Sequence, residues 1–189
     1  MKKALALTVL LAAPAAGQTV TQLAIVGDGK PVTRTEIYGK LPKNSDFFAQ
    51  YSKVQGDDGF LKGHFQTFPW QTKHFEGGFI LEYVHHAQTE GGIVARLKRP
   101  EAQIDMRYFP ATRRSEVFGY ASGEKWNIDM LSGFSYQGDK GFVRIGIDRK
   151  VGRGFSVGVE GNFSLPHREK NYLGVRAKKT FNLRKGQNR

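Results

Sequence analysis

Five histidines, His64, His74, His85, His86 and His167, are the side chains of this 189-residue sequence best suited to proton transfer or metal binding. A hydrolase would set one of them beside Ser, Asp or Glu. The densest grouping is His85-His86 near Glu90, but successive strand residues point to opposite faces, so at most one of the pair joins an inward site. His86 with Glu82 offers two metal ligands and no third. Gly152-Arg153-Gly154 and Gly77-Gly78 lack the strand, Gly-rich turn and helix that a phosphate loop needs, and read as turn and packing glycines. With no catalytic signature among these residues, the sequence assigns no catalytic residue, no metal and no cofactor.

A second set of residues is larger and more regular. Lys62, Glu76, Glu82, Arg96, Asp105, Arg107, Asp129, Arg144, Asp148, Glu160 and Arg176 recur at even spacings within β-prone segments, joined by His64, Lys98, Lys150 and Lys178. Even spacing places them on one face of each strand. Confined together, charges of both signs must pair or stay hydrated, so the expected chemistry is a ladder of cross-strand ion pairs.

The segments that position them follow one another after Ser45: Phe47 to Val54, Gly59 to Phe68, His74 to His85, Gly92 to Arg99, Ala102 to Phe109, Ser115 to Ser122, Lys125 to Tyr136, Gly141 to Lys150, Gly154 to Leu165, and Asn171 to Phe181. Each is bounded by Gly, Pro, Asp or Asn, and no helical period of similar length competes. Connections such as Gln55-Gly56-Asp57-Asp58, Pro69 to Lys73 and Arg99-Pro100-Glu101 are short enough for hairpins. A meander of hairpins leaves two bare edges, and pairing first with last removes both. The fold class is therefore all-β: a closed antiparallel up-and-down β-barrel of about ten strands, with eight the nearest alternative. Residues 18–45, with Gly27-Asp28-Gly29, Pro31 and Pro42, read as an irregular N-terminal segment that could add a strand or plug the lumen. The barrel domain is then 46–182, followed by a basic tail, 183–189.

Opposite the charges runs an apolar face. Phe75, Gly77, Phe79, Leu81 and Tyr83 oppose Glu76, Gly78, Ile80, Glu82 and Val84; Trp126, Ile128, Met130, Ser132, Phe134 and Tyr136 oppose Asn127, Asp129, Leu131, Gly133 and Ser135. Filling a small barrel with one bulky side chain from every second position would crowd it, whereas glycines and short polar residues suit a tight, wet lumen. The apolar face is thus expected outward, with Phe75, Phe79, Tyr83, Trp126, Phe134, Tyr136, Phe155 and Phe163 as its lipid-facing aromatics. Eight to ten residues at ~3.3 Å, tilted about 40°, give roughly 20 to 25 Å of height, near that of an outer-membrane apolar band.

Residues Phe47 to Phe181, with this alternation, no cysteine and a last segment Tyr172-Leu173-Gly174-Val175-Arg176-Ala177-Lys178-Lys179-Thr180-Phe181 ending in an aromatic, resemble the small bacterial outer-membrane β-barrel proteins. The resemblance is architectural. It implies a terminal aromatic recognised by the barrel-assembly machinery; here Asn182 to Arg189 follow Phe181, and Lys179 stands on the otherwise apolar face.

The ends and the composition set the compartment. Lys2 and Lys3 precede an apolar run, Ala4 to Ala13, too short to span a bilayer, and Ala15 and Gly17 fit a cleavage site. Residues 1–17 are read as a signal peptide with Gln18 the mature start. The net charge is +12, of which Lys2 and Lys3 belong to the leader. Export and the even spread of basic residues argue against nucleic acid. The expected partners are outer-membrane lipid, including lipopolysaccharide as a candidate, and the assembly machinery. The expected protein is an exported outer-membrane barrel with a structural, adhesive or narrow-pore role. Its rivals are a soluble periplasmic barrel holding a hydrophobic ligand and an outer-membrane lipid-modifying enzyme.

Overall fold

Twelve antiparallel strands close into one barrel in this computed structural model, which describes residues 18–27, 31–54, 59–85, 89–135, 140–152, 154–165 and 171–183. They are β1 Gln18–Gly27, β2 Val32–Leu41, β3 Ser45–Val54, β4 Phe60–Gln71, β5 Phe75–Val84, β6 Glu90–Arg99, β7 Ala102–Phe109, β8 Arg114–Ser122, β9 Trp126–Ser135, β10 Lys140–Gly152, β11 Phe155–Leu165 and β12 Tyr172–Leu183. Every strand pairs with its sequence neighbours. β1 closes the ring on β12 from Gln18↔Leu183 to Gly27↔Gly174, so no edge is left bare.

The count corrects the expectation of ten strands, or eight, because residues 18–45 are not irregular. They form β1 and β2, and the barrel spans Gln18 to Leu183 rather than 46–182. Neither proline interrupts them: Pro31 precedes β2, and Pro42 lies in the turn to β3. The polar outer positions Thr33 and Thr35 hide the apolar–polar rhythm that marks the other strands. Pro69 and Trp70, read as a connection, belong to β4, where the register slips between Thr67 and Trp70. A bulge removes the ladder position that proline could not fill. The signal peptide 1–17 and residues 184–189 of the tail lie outside the described residues.

The turns fall into two sets. β2–β3, β4–β5, β6–β7, β8–β9 and β10–β11 join at the end of the barrel that also holds Gln18 and Leu183, here called the turn end. In the β2–β3 turn Lys43 and Asn44 take left-handed backbone, φ 58° and 55°. In the β10–β11 turn Gly152 takes φ 117°, a backbone that side-chain-bearing residues rarely adopt, and Gly154 takes φ 75° where a Cβ would stand 2.5 Å from the Thr180 carbonyl oxygen.

Candidate functional site

The interior of the barrel holds every carboxylate that falls on a described strand: Glu36, Asp46, Glu76, Glu82, Glu90, Asp105, Glu116, Asp129, Asp148 and Glu160. The outer positions of the strands carry none. Large apolar side chains sit there instead, exposed: Phe79 51%, Leu81 53%, Ile93 56%, Val159 48%. Phe75, Tyr83, Trp126, Phe134, Phe155 and Phe163 are exposed on the same outer surface; Tyr136 lies outside the described residues.

Two ion-pair networks line the interior. In the first, Arg96 on β6 donates from Nε and Nη2 to Asp105 on β7, both at 2.8 Å, and from Nη1 to Asp46 on β3 at 2.6 Å and Glu76 on β5 at 3.4 Å. Lys98 shares Glu76. Toward the other end Lys62 lies 2.9 Å from Glu82 and 3.2 Å from Glu116, while Arg114 reaches Glu82, Glu90 and Glu116. Because β4 and β8 are not neighbours, the Lys62–Glu116 pair spans the lumen wall as a chord. Arg107 sits 3.6 Å from Asp105 and 3.7 Å from Glu116.

Between these charges lies a buried apolar cluster, Phe68, Ile80, Val94 and Phe109. The guanidiniums of Arg96 and Arg114 each stack 4.2 Å over a ring, Phe68 and Phe109 respectively. A desolvated arginine is held by carboxylates on its edge and an aromatic on its face, which its planar, weakly hydrated group permits.

The second network is centred on Arg176 of β12. Its Nη2 meets Asp148 of β10 at 2.7 Å, its Nη1 meets Glu160 of β11 at 2.9 Å, and Asp129 of β9 is paired as well. Arg34 of β2 approaches Glu160 from the opposite side in a fork, at 3.2 and 3.0 Å, and Tyr172 donates to the same carboxylate. The guanidinium of Arg176 lies over Gly146, where a Cβ would overlap it.

Among the described residues no ion pair joins the two networks. Between them is a cavity of about 840 Å³, lined on one side by Asp105 and Arg107 and on the other by Arg34, Asp129, Arg144 and Arg176. It reaches the turn end at Lys40 and Lys150. These two cations and Arg144 have no carboxylate within 4.0 Å among the described residues; Lys150 donates to Ser122 Oγ and the Gly123 carbonyl, and Arg144 Nε lacks a partner. The carboxylates are thus paired, and the positive charge left over faces the cavity.

All of Lys62, Glu76, Glu82, Arg96, Asp105, Arg107, Asp129, Arg144, Asp148, Glu160 and Arg176 therefore lie inside, but Arg144 departs from the expected pairing. Sequence reasoning missed Arg34, Asp46, Arg114 and Glu116. Glu116 was within reach of it, since it stands opposite Arg107 across the β7–β8 hairpin. Arg34 was lost with the unread β2, and Asp46 because the sequence pattern starts the β3 segment at Phe47 rather than Ser45.

The histidines are scattered. His64 is buried inside, stacked on Phe48 with ring centroids 5.1 Å apart and 2.9 Å from Gln66 Nε2. His74 is in the β4–β5 turn and His85 follows β5; His86 and His167 lie outside the described residues. The described His, Asp and Glu residues form no group of three able to hold a metal. The rival of a soluble barrel with an apolar lumen is corrected by the distribution of charge, since the lumen holds the ionised side chains and the apolar face is outside.

No family model and no curated protein matches the sequence. Among solved structures the chain is similar to the KdgM porin, with TM-score 0.60 and 11% identity over 87% of this chain and 99% of that one. The KdgM porin in complex with disordered oligogalacturonate gives the same values. The NanC porin is similar at TM-score 0.60 and 8% identity, over 88% of this chain and 100% of that one. The likeness is one of fold, a closed barrel of antiparallel strands.

Proposed function

We propose that the protein resides in the bacterial outer membrane and that its lumen is a narrow diffusion pore favouring small organic anions. The observation that carries this reading is the reversed polarity of the barrel. Ionised groups inside and exposed Phe, Leu, Ile and Val outside make an apolar patch far larger than a water-facing monomer tolerates, while strands of about ten residues suit an apolar band. A closed barrel alone lets strands cross lipid with every backbone group paired.

The preference for anions rests on the surplus charge. Paired carboxylates present little field to a passing solute, whereas Lys40, Lys150 and Arg144 form a positive path from the turn end inward. The likeness to a porin described with an oligogalacturonate supports an acidic sugar as one such solute. Reconstitution in planar bilayers tests the proposal: small steady steps with a reversal potential favouring anions are expected in a salt gradient. A structural or adhesive role alone would give heat-modifiable, membrane-inserted protein and no current.

A further inference from the structure

Inward apolar side chains of the barrel are of two kinds. Phe68, Ile80, Val94 and Phe109 pack against one another and are buried. Phe118 of β8 and Leu131 of β9 are only half-buried, and both border the central cavity. Their exposure calls for a reason, because an apolar side chain gains nothing by facing water.

The strand register sets these two beside an arginine. Phe118 pairs with Leu131 across β8–β9, and Leu131 pairs with Arg144 across β9–β10, so the three form one inward row. Two strand spacings put Phe118 and Arg144 about 10 Å apart at the backbone. Arg144 borders the same cavity, and its Nε has no hydrogen-bond partner. On its far side the row continues to Asn162 and Tyr172, neither of which lines the cavity. A solute held at Arg144 and lying along this row therefore extends over Leu131 and Phe118. Asp105, next after Phe118, is already engaged by Arg96.

We infer that this row binds a carboxylate with an apolar body, an aryl or short alkyl acid, in preference to a sugar acid. The carboxylate takes the guanidinium of Arg144, and the body lies on Leu131 and Phe118. The inference rests on the anion-pore reading above and narrows it to a substrate class. A guanidinium offers a carboxylate two parallel N–H groups. A ring laid on Phe and Leu removes apolar surface of both partners from water. A hexuronate in the same pose sets its hydroxyls against two side chains with no donor or acceptor, and each hydroxyl that loses its water there goes unpaired.

The test is block of the chloride current through the reconstituted barrel by benzoate and by galacturonate, which are equal in charge. Benzoate is expected to halve the current at a several-fold lower concentration, with neutral benzamide much weaker. Phe118→Ser with Leu131→Ser should bring the two concentrations together, either serine alone should go part of the way, and Phe118→Leu should keep benzoate ahead. Arg144→Gln should weaken block by both anions. Gel mobility before and after boiling verifies that each variant folds. Chloride current with equal block by both anions in the wild type overturns this site and leaves the pore reading standing. A preference for benzoate that survives in the double serine variant also overturns it. A folded, membrane-inserted barrel with no current overturns the pore reading and this site with it.

Discussion

Arg176 Nη1 donates to Glu160 Oε2 at 2.9 Å with both side chains at 0% exposure, and Arg34 grips the same carboxylate from β2. The bond ties β12 to β11 and, through Asp148, Asp129 and Arg34, fastens the strands on either side of the closure between first and last. Removing one partner of a buried pair leaves charge without compensation, at a cost of about 3 to 5 kcal/mol. Arg176→Met should therefore lower the urea midpoint of the reconstituted barrel far more than Glu36→Gln, whose side chain is half-buried beside Arg34 at 3.9 Å. Equal losses in tryptophan-fluorescence unfolding would show that the network is not the clamp inferred.

Gly146 tests the same clamp without touching a charge. A methyl at this position overlaps the Arg176 guanidinium, so Gly146→Ala should displace it and cost roughly 1 to 3 kcal/mol, the usual range for overpacking. Gly91, with nothing near its missing Cβ, is the control. Urea titrations of the two variants should separate clearly; a harmless Gly146→Ala would mean that Arg176 has room to move.

The Lys62–Glu116 chord joins strands that are not neighbours and narrows the lumen. Lys62→Ala with Glu116→Ala removes both charges together, sparing either from being left unpaired, and should raise single-channel conductance. Unchanged step size would place the constriction elsewhere.

Arg144 carries the mid-lumen surplus charge. Arg144→Glu should shift the reversal potential toward cations in a salt gradient, with Arg144→Lys close to wild type. The effect should weaken at high salt as screening shortens the reach of the charge. An unmoved reversal potential would assign selectivity to Lys40 and Lys150 alone.

On the outer surface a charge at the apolar midplane costs about 2 to 4 kcal/mol, while an inward one finds water or partners. Val159→Arg should cut the yield of heat-modifiable barrel in lipid, and a lipid-confined photoprobe should label a cysteine at Val159 but not at Asn127. Labelling of both positions, or of neither, would sink the outward-apolar assignment.

The sequence by itself determined the class, the closure and which face of each strand bears charge, because side chains alternate with period two and a one-residue slip would expose every carboxylate outside. Ala102–Phe109 was legible to the residue for that reason, being bounded by Pro100-Glu101 and Pro110. Where both faces are polar, as in β2 with Thr33, Arg34, Thr35 and Glu36, the alternation vanishes, and only pairing with β1 and β3 made it a strand. Which carboxylate each arginine meets was decided by tertiary structure alone. Arg34–Glu160, Arg96–Asp46 and Lys62–Glu116 cross between strands far apart in sequence, and their meeting depends on barrel diameter and stagger. Strand count fixes that diameter, and so it also decided that no described carboxylate comes within 4.0 Å of Arg144 and that a cavity remains between the two networks.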